Sequence, residues 1–418
     1  MTGRSKGYHI HMGEKLKPLF SNKILLLFFA IIAIDAIALG MSDGVFSNYF
    51  RDVYDVTATQ RGFIEFPRET PGILAVLVIS LLGFLGDVRT AIIAQLLMAF
   101  GILILAFFTP SFNMMLVFLF IHSLGMHMFF SLRDAVGLSL VKDSASAGTV
   151  MSRFSATATG FSMISALIVL VGFRTGIFSF LTPVIAIFVI SGVLAIIVAL
   201  MFLRLSKHIE RPEKNERKFK MIFRKRYSYY YILAILRGVQ KQIAIVYGPW
   251  ILIELLSRQV DTMMAISITG SLIGVFFIQL VGKSVDKFGV KKLLFAEAAA
   301  FIFVYIAYGV LAMGLSQGFF PTVGIPVFVA MFLIILDRMT MQMHLVKAVY
   351  LRSIIVDKSE IAKTLSTALS LDHIVSVGIA MIGGVVWDTW GPQYVFFFAA
   401  IMSVANVWVA SRIGKESA

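Results

Sequence analysis

The sequence contains no cysteine among its 418 residues. Disulfide bonds, thiolate metal sites and cysteine nucleophiles are therefore excluded. Charged residues are also scarce, at 14% of the chain, and 23 acidic residues stand against 37 basic ones, which gives a formal net charge of +14. An excess of basic residues can indicate a nucleic-acid ligand, but here they are concentrated in alternate short segments between apolar runs. We therefore predict no nucleic-acid partner.

Several catalytic motifs are absent as well. There is no P-loop pattern G-x-x-x-x-G-K-S/T, which argues against ATP-driven activity by this chain alone, and there is no H-E-x-x-H pattern. His122 and His127 are five residues apart, so they face different sides of a helix and make a poor metal pair. We predict no cofactor, no metal site and no enzymatic activity. An intramembrane enzyme would require Asp35 and Asp337 to approach each other from opposed helices.

Apolar residues, in contrast, are abundant. They make up 59% of the chain, and the mean hydropathy of +0.89 is far above that of soluble globular proteins. Because a bilayer core about 30 Å thick needs about 20 apolar residues per helix, each run of that length predicts one crossing. The runs predict twelve transmembrane helices at 23–48, 60–85, 89–109, 113–140, 148–171, 177–203, 227–256, 263–282, 291–314, 322–351, 362–386 and 392–411.

The distribution of basic residues orients these helices. Lysines and arginines are concentrated in the loops on the side of the N-terminus, so we expect both termini in the cytoplasm. The first run has no small-residue cleavage site, and we expect it to be retained as a span. The chain divides into a cytoplasmic N-terminal segment, a six-helix bundle, a basic linker, a second six-helix bundle and a tail, at 1–22, 23–203, 204–226, 227–411 and 412–418. The linker is either an amphipathic segment on the inner leaflet or a solvated connection.

Two charged turns lie about half the chain apart. The second reads Gly282-Lys-Ser-Val-Asp286-Lys287-Phe-Gly289-Val-Lys291-Lys292, and the first reads Gly83-Phe-Leu-Gly86-Asp87-Val-Arg89. Asp87 and Asp286 are 199 residues apart, which suggests two repeated halves. Gly282 and Gly289 are predicted to end one helix and restart the next in a tight loop. When Asp87 is aligned with Asp286, the first copy keeps a glycine, the aspartate and a basic residue but lacks the second glycine.

These turns resemble the signature loop of the major facilitator superfamily of membrane transporters, which joins the second and third helices and recurs between the eighth and ninth. The resemblance implies an all-α membrane protein with twelve transmembrane helices in two pseudo-symmetric six-helix bundles, and secondary active transport by alternating access. We also expect a monomer in the lipid bilayer, in a bacterial inner (plasma) membrane. The resemblance implies a gating role for the loop residues Asp87, Arg89, Gly282, Asp286, Lys287, Gly289, Lys291 and Lys292.

The chain departs from the family pattern in two helices. The helix 5 motif of proton-coupled drug antiporters, G-x-x-x-G-P-x-x-G-G, is absent, which argues against a multidrug exporter. The Arg-x-x-x-Gly pattern of helix 4 is present only as Arg133 to Gly137, near the cytoplasmic end. We therefore assign no proton-relay role to Arg133.

Ionisable groups inside the apolar runs point to the transport site. A charge at the centre of a spanning helix costs about 3 kcal/mol, so each one needs a partner, water or a function. With a rise of 1.5 Å per residue, Asp35 lies about 18 Å into helix 1, near the middle of the bilayer. We predict that protons are the coupling ion, and that their carriers are among Asp35, Asp337, Asp372 and His373.

A basic pair on helix 7 predicts the substrate. Arg237 and Lys241 are four residues apart on one helix face, about 15 and 21 Å into the span. Because Asp35 and Asp337 neutralise them only in part, we predict a small organic anion or zwitterion. The predicted binding residues are Arg237, Gln240, Lys241, Tyr247, Trp250 and Arg338. If the carboxylates dominate instead, the substrate is a cation and the basic pair are internal counter-ions.

The start of helix 2 predicts a gate on the outer side. Arg68 would pair with Glu65 or Glu69 only when that side is closed, although snorkelling charges at an interfacial helix start are an alternative interpretation.

Two other functions stay open for the same fold. One is a lipid or amphiphile flippase or exporter, which the 38 phenylalanines favour weakly. The other is a transport-inactive receptor, against which the midplane charges argue.

Overall fold

The computed structural model describes residues 23–141, 147–209, 222–357 and 360–413, and these residues are mainly helical. The transmembrane elements of the first half are α1 (Lys23–Tyr54), α2 (Ala58–Leu81), α3 (Asp87–Phe108), α4 (Phe112–Ser139), α5 (Ala147–Arg174) and α6 (Ala186–Leu205). Those of the second half are α7 (228–255), α8 and α9 (the two arms of Val260–Ser316 on either side of Gly289), α10 (Ile325–Ile354), α11 (Ile361–Thr389) and α12 (Pro392–Arg412). The predicted segment 1–22, the linker residues 210–221 and the tail residues 414–418 lie outside the described residues.

Three of these elements are irregular inside the span. A 3-10 turn at Asp43–Val45 interrupts α1, and Met343 separates two helical pieces of α10. In α7, π-helical turns at Ile243–Tyr247 and Ile251–Leu255 flank a short α-helical turn that contains Pro249. Proline removes a backbone donor and crowds the preceding turn, so a wider helical geometry beside it is expected.

The described helices are consistent with the twelve predicted crossings. Nine of them are long and apolar enough to cross a membrane by themselves. One of the nine, Val260–Ser316, has 57 residues and is broken at Gly289 into two arms, each long enough for one crossing. α2 is not among the nine because four charged residues lie in its first half, and α7 is not because π-helical turns divide it.

The helices pack as two bundles. In the first half, α1 packs against α5 and α6, α3 against α4 and α6, and α2 against α4. In the second half, the long helix of α8 and α9 packs against α10 and α12, and α7 packs against α11. The bundles meet where α2 packs against α11 and where α5 packs against the long helix.

The buried core is continuous at one end of the molecule and divided at the other. Because successive helices alternate in direction, Lys23 and Arg412 lie at the same face, which we call the terminal face; the opposite face is the distal face. In the distal half, one cluster of buried apolar side chains extends through both bundles and includes Tyr49 of α1 and Tyr308 of α9. In the terminal half, each bundle has a cluster of its own. The bundles are therefore packed together distally and separate towards the terminal face.

Small residues bring α2 and α11 into backbone contact in the distal half. A Cβ atom on Gly62 would lie 2.1 Å from the carbonyl oxygen of Ala380, and one on Gly384 would lie 2.4 Å from that of Ala58. The hydroxyl of Thr59 also donates to the carbonyl oxygen of Gly384 at 3.2 Å. Close backbone approach of this kind is how membrane helices gain dispersion energy. It closes the distal side.

The two signature loops share one backbone conformation, and this changes their alignment. Gly86 (φ 79°, ψ 160°) and Gly289 (φ 79°, ψ 161°) both have the left-handed φ that favours glycine, and each precedes a helix. Gly86 therefore corresponds to Gly289, so the first loop keeps the second glycine and has Gly83 at the position of Asp286. The predicted helix end at Gly282 is wrong, since this residue has helical backbone and the break is confined to Gly289.

The end of the linker is fixed to the start of α11. Glu360 accepts hydrogen bonds from the hydroxyl of Tyr227 (2.7 Å) and from Nε of Arg224 (3.0 Å). The backbone N–H of Ile222 donates to the hydroxyl of Thr367 at 3.2 Å. The hydrogen bond from Tyr227, together with the Arg224 guanidinium, holds the pKa of Glu360 below its usual range. Residues 222–227 are thus part of the second bundle.

Replacing Gly289 with alanine is expected to destabilise the protein, whereas Gly282→Ala is not. Alanine at position 289 would be forced into a positive φ with extended ψ, a region essentially restricted to glycine, at a cost of about 1–3 kcal/mol. Gly282 is helical, and a Cβ atom there would meet open space. The melting temperatures of the two purified variants in detergent measure the difference. Equal melting temperatures would contradict a helix break that depends on Gly289.

Candidate functional site

A chain of charged side chains occupies the distal half of α1 and α2. Arg68 donates to Oδ1 of Asp43 at 2.6 Å and to Oε1 of Glu65 at 2.8 Å. Arg61 donates to the same oxygen of Glu65 at 2.6 Å, and both of these side chains are buried. Arg68 is thus paired with Glu65 while the distal side is closed, as the outer-gate hypothesis requires. The gating role itself stays a prediction.

Glu69, which follows Arg68 in the chain, joins the two bundles. Its Oε2 accepts a hydrogen bond from Nζ of Lys241 in α7 at 2.8 Å and lies 2.6 Å from Nδ1 of His373 in α11. Lys241 also contacts Oδ2 of Asp372 at 3.2 Å. None of these four side chains is more than 11% exposed, so water screens their attraction weakly. We call Glu69, Lys241, Asp372 and His373 the bridge.

Side chains of α4 border the bridge. The ring of His127 lies 5.3 Å from that of His373, and its Nε2 is 3.2 Å from the carbonyl oxygen of Arg68. Ser123 donates to the same carbonyl oxygen at 2.6 Å. These contacts fix α4 to α2 beside the two prolines of α2, where the helix backbone has lost donors. Oδ1 of Asp372 has no hydrogen-bond partner among the described residues.

A cavity of about 400 Å³ lies next to the bridge. Its wall is formed by α1, α2, α4 and α5, with Ile245 contributed by α7. The volume is in the range of small-molecule binding sites. The ionisable residues that line it are Asp35, Asp43, Arg68, Glu69, His127 and Arg133.

The predicted proton carriers lie in three separate places. Asp35 lines the cavity and accepts a hydrogen bond from Nε2 of Gln95 at 2.8 Å. Asp372 and His373 belong to the bridge. Asp337 is buried inside the second bundle, away from the residues that line the cavity.

The predicted cationic binding residues are not collected around the cavity. Lys241 is already neutralised by two carboxylates of the bridge. Arg338 interacts electrostatically with the buried Asp337. Nε of Arg237 and both amide atoms of Gln240 have no hydrogen-bond partner among the described residues. Of the predicted cations on α7, Arg237 is thus the one with unused donor capacity.

The two predicted aromatic residues lie in the apolar core. Tyr247 donates a hydrogen bond to the carbonyl oxygen of Ala380 and stacks on Trp387, with ring centroids 5.9 Å apart. Trp250 is completely buried. Both belong to the distal cluster that extends through the two bundles, so in this conformation they seal the distal side and do not line the cavity.

The signature-loop residues of the second half lie towards the terminal face. Asp286, Lys287 and Lys292 are exposed, and Nζ of Lys291 donates to the carbonyl oxygen of Ser411 at 3.4 Å. Arg89, in the first half, is exposed as well. A latch that acts when the terminal face is closed is expected to be accessible in this conformation, and its role stays a prediction.

The sequence predicts neither the partners of Glu69 nor the position of Arg133 at the wall of the cavity. The sequence indicates Glu69 only as an alternative partner for Arg68, and it gives Arg133 no role. A charge within a spanning helix is the available signal for both residues. The partners of Glu69 lie 172 and 304 residues away in the sequence, so only the tertiary fold brings them together.

Two helical bundles of membrane length, joined by a buried ion pair beside a cavity of small-molecule size, are typical of membrane transporters. The Major Facilitator Superfamily matches residues 28–351, and the chain belongs to this family. The predicted all-α fold is thereby confirmed. A search of curated proteins finds no match in sequence.

Solved transporter structures share the fold. The nucleoside transporter NupG is 13% identical, with a TM-score of 0.72 over 94% of this chain and 100% of NupG. A D-xylose-proton symporter is 14% identical, with a TM-score of 0.68 over 94% of this chain and 97% of the symporter. A bacterial homologue of the human lysosomal transporter Spinster, in an inward-facing and occupied conformation, is 14% identical, with a TM-score of 0.67 over 96% and 98% of the two chains.

Glu69→Gln is expected to open the distal side. The substitution removes the negative charge that Lys241 and His373 contact, so the closed state loses the inter-bundle ion pair with Lys241 and its contact with His373 is weakened. Because the chain has no cysteine, a single cysteine in place of the buried Ala380 reports distal opening by its reaction with a membrane-impermeant maleimide. The labelling rate should rise roughly tenfold, which corresponds to about 1.4 kcal/mol.

The matched control for this experiment is Glu297→Gln. Glu297 forms a buried ion pair with Lys347 at 3.1 Å, within the second bundle. Its substitution removes the same charge without touching a contact between bundles, so the labelling rate should not change. An equal rise in both variants, or no rise with Glu69→Gln, would contradict the assignment of the bridge.

Proposed function

We propose that the protein is a secondary active transporter that moves a small organic anion or zwitterion by alternating access, as a monomer in the bilayer. The observation that carries this proposal is the divided core. The buried apolar cluster is continuous between the bundles in the distal half and separate in the terminal half. This is the packing expected of a transporter with its site open towards the terminal face.

We propose that the terminal face is cytoplasmic and that the membrane is a bacterial inner membrane. The orientation rests on the basic loops, which are concentrated on the side of the two termini. The described conformation is then inward-facing. The similarity to the Spinster homologue in its inward-facing conformation supports this proposal.

We propose protons as the coupling ion. Of the predicted carriers, Asp372 and His373 have the strongest support because they belong to the bridge, where a change of protonation alters the attraction between bundles. A proton on Glu69 would remove its attraction for Lys241, and a proton on His373 would strengthen the contact with Glu69. Asp35 and Asp337 remain proposed carriers as isolated buried carboxylates.

The substrate proposal rests on unused cationic groups. Arg237 retains donor capacity, whereas Lys241 is neutralised within the bridge. NupG and the D-xylose-proton symporter act on different substrates, so similarity to them does not select one. An organic anion or zwitterion fits a membrane site in which arginine is not matched by an acidic partner.

A lipid or amphiphile exporter is the second candidate. A cavity of about 640 Å³ is lined only by apolar residues and proline, from α9, α10 and the segment between them. Several of its side chains, such as Phe303 and Ile325, are largely exposed on the outside of the second bundle. Because this cavity faces away from the interface between bundles, we favour the solute transporter.

Substrate-driven proton movement tests the proposed function. We expect proteoliposomes with a luminal pH dye to show a change of luminal pH when a transported anion or zwitterion is added, without any imposed gradient. His373→Gln should retain substrate binding and lose the proton movement. Transport of the substrate with no proton movement in the wild type would contradict proton coupling.

Asp286→Asn is expected to slow transport while binding stays nearly intact. The carboxylate is proposed to hold the terminal ends of helices together only in the opposite, outward-open state, so its loss raises the energy of that state alone. Uptake rate and ligand affinity of the same purified variant separate the two effects. Unchanged uptake by a well-folded Asp286→Asn variant would show that the loop is not a latch.

A further inference from the structure

The central cavity contains two opposite charges that do not touch. Asp35 of α1 and Arg133 of α4 both line it. The positive charge of Arg133 acts on Asp35 electrostatically, but no ion pair within 4.0 Å joins these two residues. A gap between opposite charges leaves room for a ligand that contacts both.

The other charges of the cavity are already compensated. Arg68 is paired with Asp43 and Glu65, at 2.6 and 2.8 Å. Glu69 is paired with Lys241 at 2.8 Å, as part of the bridge. These groups are therefore not available to a ligand in this conformation.

Asp35 lacks a cationic partner. Its side chain is 1% exposed, and Nε2 of Gln95 donates to it at 2.8 Å. The other amide atom of Gln95, Oε1, has no hydrogen-bond partner among the described residues. A buried carboxylate that is held by one neutral donor favours a cation from elsewhere. An ammonium group can bind Asp35 and the free amide oxygen of Gln95 together.

Arg133 has donors to spare. Its Nε donates to Asp134 at 3.0 Å, but Asp134 is 60% exposed, so this pair is screened by water and weak. The guanidinium also lies 5.5 Å from the centroid of the Phe130 ring. A guanidinium has five N–H donors, and its two terminal nitrogens match the two oxygens of a carboxylate.

We propose that this cavity binds a zwitterion, with its ammonium group at Asp35, its carboxylate at Arg133 and its apolar part against Leu39, Met126 and Phe130. A ligand with one charge would satisfy one of the two groups and leave the other unpaired. The inference rests on the proposed function and narrows its substrate from an anion or zwitterion to a zwitterion, at a site in the first bundle.

Three series of matched ligands test the proposal by isothermal titration calorimetry. The zwitterions are L-alanine, L-leucine and L-phenylalanine. The cations are ethylamine, 3-methylbutylamine and 2-phenylethylamine, and the anions are propionate, 4-methylpentanoate and 3-phenylpropionate. We expect at least one zwitterion to bind about tenfold more tightly than both of its counterparts. If no zwitterion is preferred, the proposal is wrong.

Variants locate the site. Asp35→Asn and Arg133→Gln should each weaken binding of the preferred zwitterion about tenfold or more, and the control Asp134→Asn should not. Because Arg133 is partly exposed, Arg133→Gln is expected to fold even if the buried Asp35→Asn does not. Unchanged affinity in Arg133→Gln would overturn the assignment to the first bundle. The same conclusion would follow if Arg237→Gln, and not the first-bundle variants, showed the loss of affinity.

Failure of this inference is distinguishable from failure of the proposed function. The reaction of the maleimide with a cysteine in place of Ala380 needs no substrate and reports the opening of the distal side. If Glu69→Gln accelerates that reaction while no zwitterion is preferred, alternating access stands and the ligand class is contradicted.

Discussion

The negative charge of Glu69 is compensated from across the interface between the two bundles. A carboxylate within a membrane-spanning helix is costly unless cations compensate it, and here the compensating groups, Lys241 and His373, belong to the other bundle. Separation of the distal halves would therefore leave Glu69 without a cation, unless water or a proton replaces the contact, whereas Lys241 would keep Asp372 of its own bundle. Opening of the distal side is thus coupled to a change in charge or hydration at the middle of the membrane.

Glycine packing indicates where the opposite state would form its contacts. In this conformation Gly62 and Gly384 are in backbone contact in the distal half, whereas a Cβ atom on Gly160 of α5 or on Gly378 of α11 would meet open space. Glycines that contact no other helix in this conformation allow α5 and α11 to approach other helices when the distal cluster divides. The terminal ends of the two bundles would then approach each other.

How much of the structure the sequence predicts depends on whether a feature is local. Apolar runs predict the membrane crossings, because each span needs about 20 apolar residues of its own, but α2 and α7 fall short of the other spans in length or hydropathy. The signature loop is recognisable, but aligning its copies on Asp87 and Asp286 is wrong, because the shared feature is the backbone conformation of Gly86 and Gly289 rather than the acidic side chain. Within the candidate site, charges in helices are visible in the sequence and their partners are not. The contact between Lys241 and Glu69 joins residues that are 172 positions apart, so the sequence does not reveal it. For this reason the sequence predicts Lys241 as part of an anion site.

Alternate opening of the distal and terminal halves is measured most directly by pulsed electron paramagnetic resonance. The absence of cysteine allows one spin-label pair across the distal face, at Gln60 and Thr389, and another across the terminal face, at Phe84 and Phe288, all at exposed positions. Over a series of pH values, the account predicts that the fraction of long distal distances rises as the fraction of long terminal distances falls by the same amount. Distances that lengthen together on both faces, or a change on one face alone, would contradict it.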